Sequence, residues 1–259
     1  MALPAARTRD ARRARALGAL GGIAYWQGDY GPMRTAYEEA VEIAREIGDA
    51  TLLARTLYDL SFAAMVESNT DEQEELLRAA LAQAEGRDRA VTAEILGPLG
   101  FVELLRGNPA DALEHAERSL ATYRELGDRT AVADTLVSVA GMRFLIGETE
   151  LAKEQLRESA ALMAESGSRM LMSTVLLPLA LVENLDGQHE RAARLIGASM
   201  RQSEELGGGP PTFVFLSFLG DPEADARQAL GDEDYERAWA QGYAMSLDDA
   251  VAFAIAGSQ

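Results

Sequence analysis

Two interlocked series of glycines, each with a period of about forty residues, constrain this chain more than any other feature. Gly28 in "YWQGDY", Gly107 in "LLRGNP", Gly147 in "FLIGET" and Gly187 in "NLDGQH" form one series. Ser68 in "VESNTD" takes its second place, and the steps are 40, 39, 40 and 40 residues. Gly48, Gly86, Gly127, Gly167 and Gly207 form the other series. A residue just past a helix C-terminus often takes a positive φ, which glycine tolerates without a Cβ clash. Each mark therefore predicts the end of a helix, and Asp49, Asp128 and Ser168 follow as N-caps of the next. Two such series at one period indicate stacked helix pairs.

Between the marks, apolar residues recur at three- and four-residue spacing, as in Leu52, Leu53, Leu57, Leu60 and Ala64. Strand-like alternation is nowhere sustained. The expectation is an all-α fold: a lead-in over residues 1–10, five antiparallel helix pairs over 11–207, and a hinge with a helical cap over 208–259.

The residues of the first unit, "LGGIAYWQGDYGPMRTAYEEAV", resemble the tetratricopeptide repeat, with its Leu-Gly pair, Gly-Asp-Tyr turn, and aromatic and small residues on the second helix. Leu20-Gly21 and Leu99-Gly100 keep the Leu-Gly pair, while Leu60-Ser61, Val139-Ala140 and Leu179-Ala180 keep its size. Tyr37 with Ala40 matches the second-helix pair, and Leu77-Ala80, Ala116-Ser119, Leu156-Ser159 and Ile196-Ser199 are degenerate versions. The longer second helices are similar to those of MalT-like members. The resemblance implies a right-handed α-solenoid of five antiparallel pairs. "ERAARLIGAS" and "ARQALGDEDYERAWAQGYAMSLDDAVAFAI" resemble the C-terminal region of large actinobacterial LuxR-type regulators and related signalling ATPases, and the first unit resembles the start of their repeats. That resemblance implies a sensor or interaction arm of a transcriptional regulatory system. The chain has no Gly-rich Lys-Ser/Thr phosphate loop and no helix-turn-helix with a basic face, so it reads as an arm without an engine, either an excised fragment or a stand-alone relative.

A net charge of −18 argues against a sequence-independent grip on nucleic acid, favours basic partners and disfavours anionic membrane surfaces. The absence of cysteine removes disulfides, thiolate chemistry and Cys-ligated zinc. Lys153 is the only lysine among 24 basic residues. The arginines and apolar residues near the N-terminus are interrupted by Arg15, and no run approaches the roughly 18 apolar residues of a membrane span, so a cytoplasmic protein is expected.

In a solenoid of this type the first helices line the concave side. By register that side collects Tyr25, Arg55, Tyr58, Phe62, Met65, Phe101, Leu104, Phe144, Leu181 and Asn184. Such an apolar lining suits a protein or peptide partner, or an apolar small-molecule effector; the alternative is that the same residues pack on neighbouring helices. Only Asn184, and no lysine, is present to grip a peptide carboxylate. Glu103, Arg143 and Glu183 share one register, expected to form an ion ladder or polar anchors at the groove floor, and Glu94 and Asp134 share another near Arg55. Pro98 and Pro178 fall inside first helices, where each removes a backbone hydrogen bond and is expected to kink the helix.

The run "GGGPPTFVFLSFLG" breaks the period; Phe213, Phe215 and Phe218 either cap the last repeat or fold back as a plug. Ser246 reads as an N-cap followed by acidic Asp248 and Asp249. His115 and His189 lie on or near second helices with no metal-binding spacing, and proline spoils "GGGPP" as a phosphate loop. No cofactor is expected and no catalytic motif is present. A scaffold that binds through its groove is the leading reading, with a possible homodimer and, as alternatives, a small-molecule or catalytic pocket built on Glu103, Asp134 or Glu183.

Overall fold

The computed structural model describes residues 8–166, 169–205 and 220–256. Among these residues there are thirteen helices and no strand. Ten make consecutive pairs: α1 (Ala11–Gln27) with α2 (Tyr30–Ile47), α3 (Ala50–Val66) with α4 (Thr70–Ala84), and α5 (Arg89–Leu105) with α6 (Pro109–Leu126). The series continues with α7 (Arg129–Leu145) and α8 (Thr149–Ser166), then α9 (Arg169–Leu185) and α10 (His189–Glu205). Three shorter helices follow: α11 (Pro222–Leu230), α12 (Asp232–Tyr243) and α13 (Leu247–Ile255).

Every first helix ends in the same way. The N–H of Asp29 donates to the carbonyl of Ala24 at 2.9 Å, while Gly28 sits at φ 73°. The same bond runs from Asn69 to Ala64, Asn108 to Glu103, Glu148 to Arg143 and Gln188 to Glu183. This closure needs a left-handed residue at the turn. Ser68 supplies it at φ 57°, in a conformation that glycine adopts more cheaply. Asp49 and Asp128 accept from the N–H groups of Leu52 and Ala131, as N-caps do. Gly167, Ser168 and Gly207 lie outside the described residues. Pro98 and Pro178 lie inside unbroken helices, α5 and α9.

The chain divides into two compact units, Met1–Thr122 and Tyr123–Gln259. The core of the first gathers Tyr37, Leu57, Leu60, Leu77, Ile95 and Leu99. Here the Leu-Gly pair has a steric cause: a Cβ on Gly21 would lie 2.3 Å from the Tyr37 ring, so α1 and α2 approach only because position 21 is bare. Where the second-helix small residue is serine, it also makes a hydrogen bond. Ser119 donates to the carbonyl of Ala93 at 2.7 Å in the first unit, and Ser159 to that of Ala133 at 2.6 Å in the second.

The second unit has its own core of Leu156, Met163, Val175, Leu179, Leu195, Tyr235 and Val251, to which the C-terminal helices contribute. Helix α12 lies on α10 backbone to backbone. A Cβ on Gly197 would come 2.1 Å from the carbonyl oxygen of Trp239, and one on Gly242 1.8 Å from that of Arg194. Helix α11 packs on α9 and α10, and α13 on α8, α9 and α10. Ser246 caps α13, accepting from the N–H of Asp249 at 3.2 Å. The described C-terminal helices thus cover the last repeat; Phe213, Phe215 and Phe218 fall outside the described residues.

Candidate functional site

In the first unit, α1 packs against α3 and α3 against α5. Counting back from each closing turn, Tyr25, Met65 and Leu104 stand three residues before it, Gly22, Phe62 and Phe101 six, and Gly18, Tyr58 and Gly97 ten. Tyr25, Tyr58, Phe62, Met65, Phe101 and Leu104 are all half-buried. Tyr58 meets Phe62 edge-on with ring centroids 5.2 Å apart, and Phe62 meets Tyr25 at 6.1 Å. Such edge-to-face contacts hold ring orientations fixed. Trp26, exposed, sits edge-on to Tyr25 at 5.4 Å. The outcome is an aromatic ridge on α3, flanked by helices that carry glycine at matching positions. A Cβ on Gly22 or on Gly97 would meet no atom within 4 Å, so there is open space on the α1 side and on the α5 side.

An acid that the register analysis missed completes this face. Asp59, the only acid on α3, points toward α1: its Oδ2 lies 3.0 Å from where a Cβ on Gly18 would sit. Burial, and then the charge of Glu94, push its carboxyl up from 3.8 to about 6, with Arg55 opposing. Burial also raises Glu94, again against the pull of Arg55. Arg55 is exposed, its Nη1 3.5 Å from Glu94 Oε2. The carboxylates at the ridge are therefore poorly compensated, and a further cation beside them would favour their charged forms. A lone acid in the otherwise neutral run "TLYDLSFAAM" was the available signal.

The second unit treats the same positions differently. Phe144 on α7 is half-buried against the core. Leu181 and Asn184 on α9, expected in an open groove, are 3% and 6% exposed. The C-terminal segment closes over them. Asn184 Nδ2 donates to the carbonyl of Pro222 at 2.7 Å, and a Cβ on Gly220 would lie 3.5 Å from Leu181. His189, at the start of α10, contacts Asn184 Oδ1 through Nδ1 at 3.2 Å.

Both acids of the shared register have cationic partners on second helices. Glu103 accepts from Arg78 Nη2 on α4 at 2.9 Å and from Asn108 Nδ2 at 3.0 Å. Arg143 pairs with Glu148 in the turn after its helix. Glu183, fully buried, has Arg191 Nε at 3.0 Å, Arg157 Nη2 at 3.3 Å and Lys153 Nζ at 3.8 Å. The chain's one lysine is itself buried here and also pairs with Asp186. Residues four before the closing turn lie one helical step from the open register, which rotates these two acids to the inter-helix side. Asp134 is exposed on α7.

Among the described residues, no group of three or more His, Cys, Asp or Glu is placed to hold a metal ion, and no helix is long and apolar enough to cross a membrane.

Comparison with known proteins finds a family likeness for part of the repeats and a shared fold for most of the chain. Residues 91–165 match the tetratricopeptide repeat. The fold is shared with BtubC (BKLC) from P. vanneervenii, at TM-score 0.62 and 18% identity over 80% of this chain and 92% of that one. It is shared with a Rap protein complexed with Competence and Sporulation Factor, at TM-score 0.66 and 16% identity over 93% and 72%. A signal transduction ATPase with numerous domains from Pyrococcus horikoshii, which carries a tetratricopeptide repeat sensor, aligns at TM-score 0.63 and 13% identity over 90% and 36%. In sequence, a stretch of 31 residues is 58% identical to a protein of Mycobacterium tuberculosis named as an HTH-type transcriptional regulator. That stretch is 12% of this chain and 4% of the regulator's length. Residues 91–165 are thus similar to the tetratricopeptide repeat, within an all-α fold of the kind those structures share.

Proposed function

We propose that this chain is a non-catalytic interaction scaffold whose first-helix face in unit 1 receives a peptide or protein segment. The segment combines a cationic side chain with apolar ones. The observation that carries this reading is the half-buried Asp59 beside the Tyr25–Phe62–Tyr58 ridge, with an exposed Arg55 as partial counter-charge. An arginine or lysine from a partner would lay its apolar stem and charge along the rings and its head against Asp59 and Glu94. The net charge of −18 adds long-range attraction for a basic partner. A role as the sensor or interaction arm of a transcriptional regulatory system is supported by the regulator likeness and by a Rap protein's complex with a named factor. Nucleic acid is not the expected partner.

A second reading places an organic cation of small size on the same face. The acid raised to about 6 favours it, because such a group exchanges its proton as the ligand's charge arrives.

Selection from a random peptide library at neutral pH tests the proposal. Peptides pairing Arg or Lys with aromatic or aliphatic residues are expected to be enriched, and Phe62→Asp with Phe101→Asp is expected to abolish their binding at unchanged helicity. Enriched peptides that bind both proteins equally would refute it.

A further inference from the structure

Helix α1 carries a packing surface that no described residue covers. In α3, Thr56, Leu60 and Ala63 are buried, and α3 packs on α2. The equivalent Ile95, Leu99 and Val102 of α5 are buried too, with α4 before them, as are Val175, Leu179 and Val182 of α9, with α8 before them. In α1 the same three registers hold Ala16, Leu20 and Ile23, and all three are exposed. Leu20 is 53% and Ile23 57% accessible, although their counterparts are among the most deeply buried residues in the chain. Trp26 extends the stripe by a further turn. These positions, spaced four and three apart, are those that a facing helix fills.

We infer that this face of α1 pairs with α1 of a second copy of the chain, antiparallel, about a two-fold axis between residues 21 and 22. Two features specify that occupant. The first is charge. Arg12 and Arg15 are exposed near the N-terminal end of α1 and make no ion pair with any described residue, while most of the chain's arginines are paired. Asp29, which makes no side-chain cap bond, and exposed Tyr30 stand at the other end. An antiparallel pairing brings the two arginines of each copy to the Asp29 and Tyr30 of the other, and sets Leu20 on Ile23 twice over. Parallel pairing would set the arginines against one another.

The second feature is closure. The far side of α10, where a further repeat would stack, is already occupied by α12 at a backbone contact that no Cβ could enter. A second copy therefore has no complementary surface on which to stack head to tail. An isologous contact through α1 ends in a dimer and not in a filament.

Sedimentation velocity of the full chain over a range of micromolar concentrations tests the inference. The wild type is expected as a particle of twice its 27.9 kDa mass. Leu20→Asp with Ile23→Asp is expected to be monomeric, with its far-UV circular dichroism unchanged. A charge exchange provides an independent arm that leaves the apolar pair in place. Arg12→Asp with Arg15→Asp is expected to weaken the dimer, and adding Asp29→Arg to restore it. A wild type monomeric throughout, leaving the face to a helix of another chain, would overturn the inference. So would a dimer that persists in the Leu20→Asp, Ile23→Asp variant.

Discussion

Phe62 and Leu181 both stand six residues before the turn that closes their first helix, yet Phe62 is half-exposed in a ring cluster and Leu181 is buried. The register is the same; what lies above it is not. In unit 1 the first-helix face keeps open space beside Gly22 and Gly97. In unit 2 Gly220 and Pro222 come down on Leu181 and Asn184, and α11 and α13 pack against α9. One repeat design thus leaves a face open in one place and sealed in another, and a side chain's register alone does not decide which.

The largest effect that would expose this difference is at Glu183. Removing it as Glu183→Ala leaves Lys153, Arg157 and Arg191 without their buried counter-charge. Breaking a buried ion pair from one side costs about 3–5 kcal/mol. The loss is expected in the thermal unfolding of unit 2, with the binding face of unit 1 intact, and differential scanning calorimetry with peptide titration separates the two. Glu103→Ala in unit 1 is expected to cost less, because its partner Arg78 is exposed.

Gly242→Leu comes next. Its side chain would collide with the backbone of α10 at Arg194, and overpacking of this kind costs roughly 1–3 kcal/mol. Undocking α12 is expected to lift Trp239 off the core of unit 2 that it packs against, with a red shift in tryptophan emission. If instead the emission and melting temperature stay at the wild-type values, the seal on unit 2 is not built as described.

How much of this was legible in the sequence follows from the same contrast. The glycine period and the Leu-Gly pairs located the helix ends because the required left-handed turn and the Gly21–Tyr37 approach are local constraints. The aromatic positions Tyr25, Tyr58 and Phe62 followed from register. Leu181 and Asn184 did not, since residues 220–222, far away in sequence, decide their burial. Glu103 and Glu183 share a register with Arg143, but their pairing with arginines of second helices was not legible, because sequence spacing does not say which second-helix cation reaches them. Asp59 was overlooked because acids are common on helices; its rarity within α3 was the usable clue.

A gentler change acts in the opposite direction on stability and binding. Gly22→Leu places a side chain in open space and replaces a poor helix former, so it is expected to stabilise unit 1 by up to about 1 kcal/mol. The same side chain occupies the space beside the ridge, and peptide affinity is expected to fall tenfold or more, about 1.4 kcal/mol. A variant that gained stability and kept full affinity would show that the peptide does not use the α1 side.

The smallest effect is that of pH. Asp59 holds its proton more tightly in the folded chain, at about 6 against 3.8, so its ionisation destabilises the fold above pH 6. That penalty fades as pH falls through 6 and is gone below about 4, where both states are protonated. Asp59→Asn is expected to remove this slope from the denaturation free energy and to stabilise the chain at pH 7. Binding of a cationic peptide has the reverse dependence: it needs the ionised acid, so affinity is expected to weaken as pH drops below 6, and to lose that dependence in the Asn variant.

The most direct test of the central claim is hydroxyl-radical footprinting of the full chain with and without a library-selected basic peptide. The expected result is that Tyr25, Tyr58, Phe62 and Met65 oxidise readily in the free chain and are protected by the peptide, while Leu181 is protected in both. Protection confined to α11–α13 or to the second helices, with the ring cluster oxidising unchanged, would contradict it.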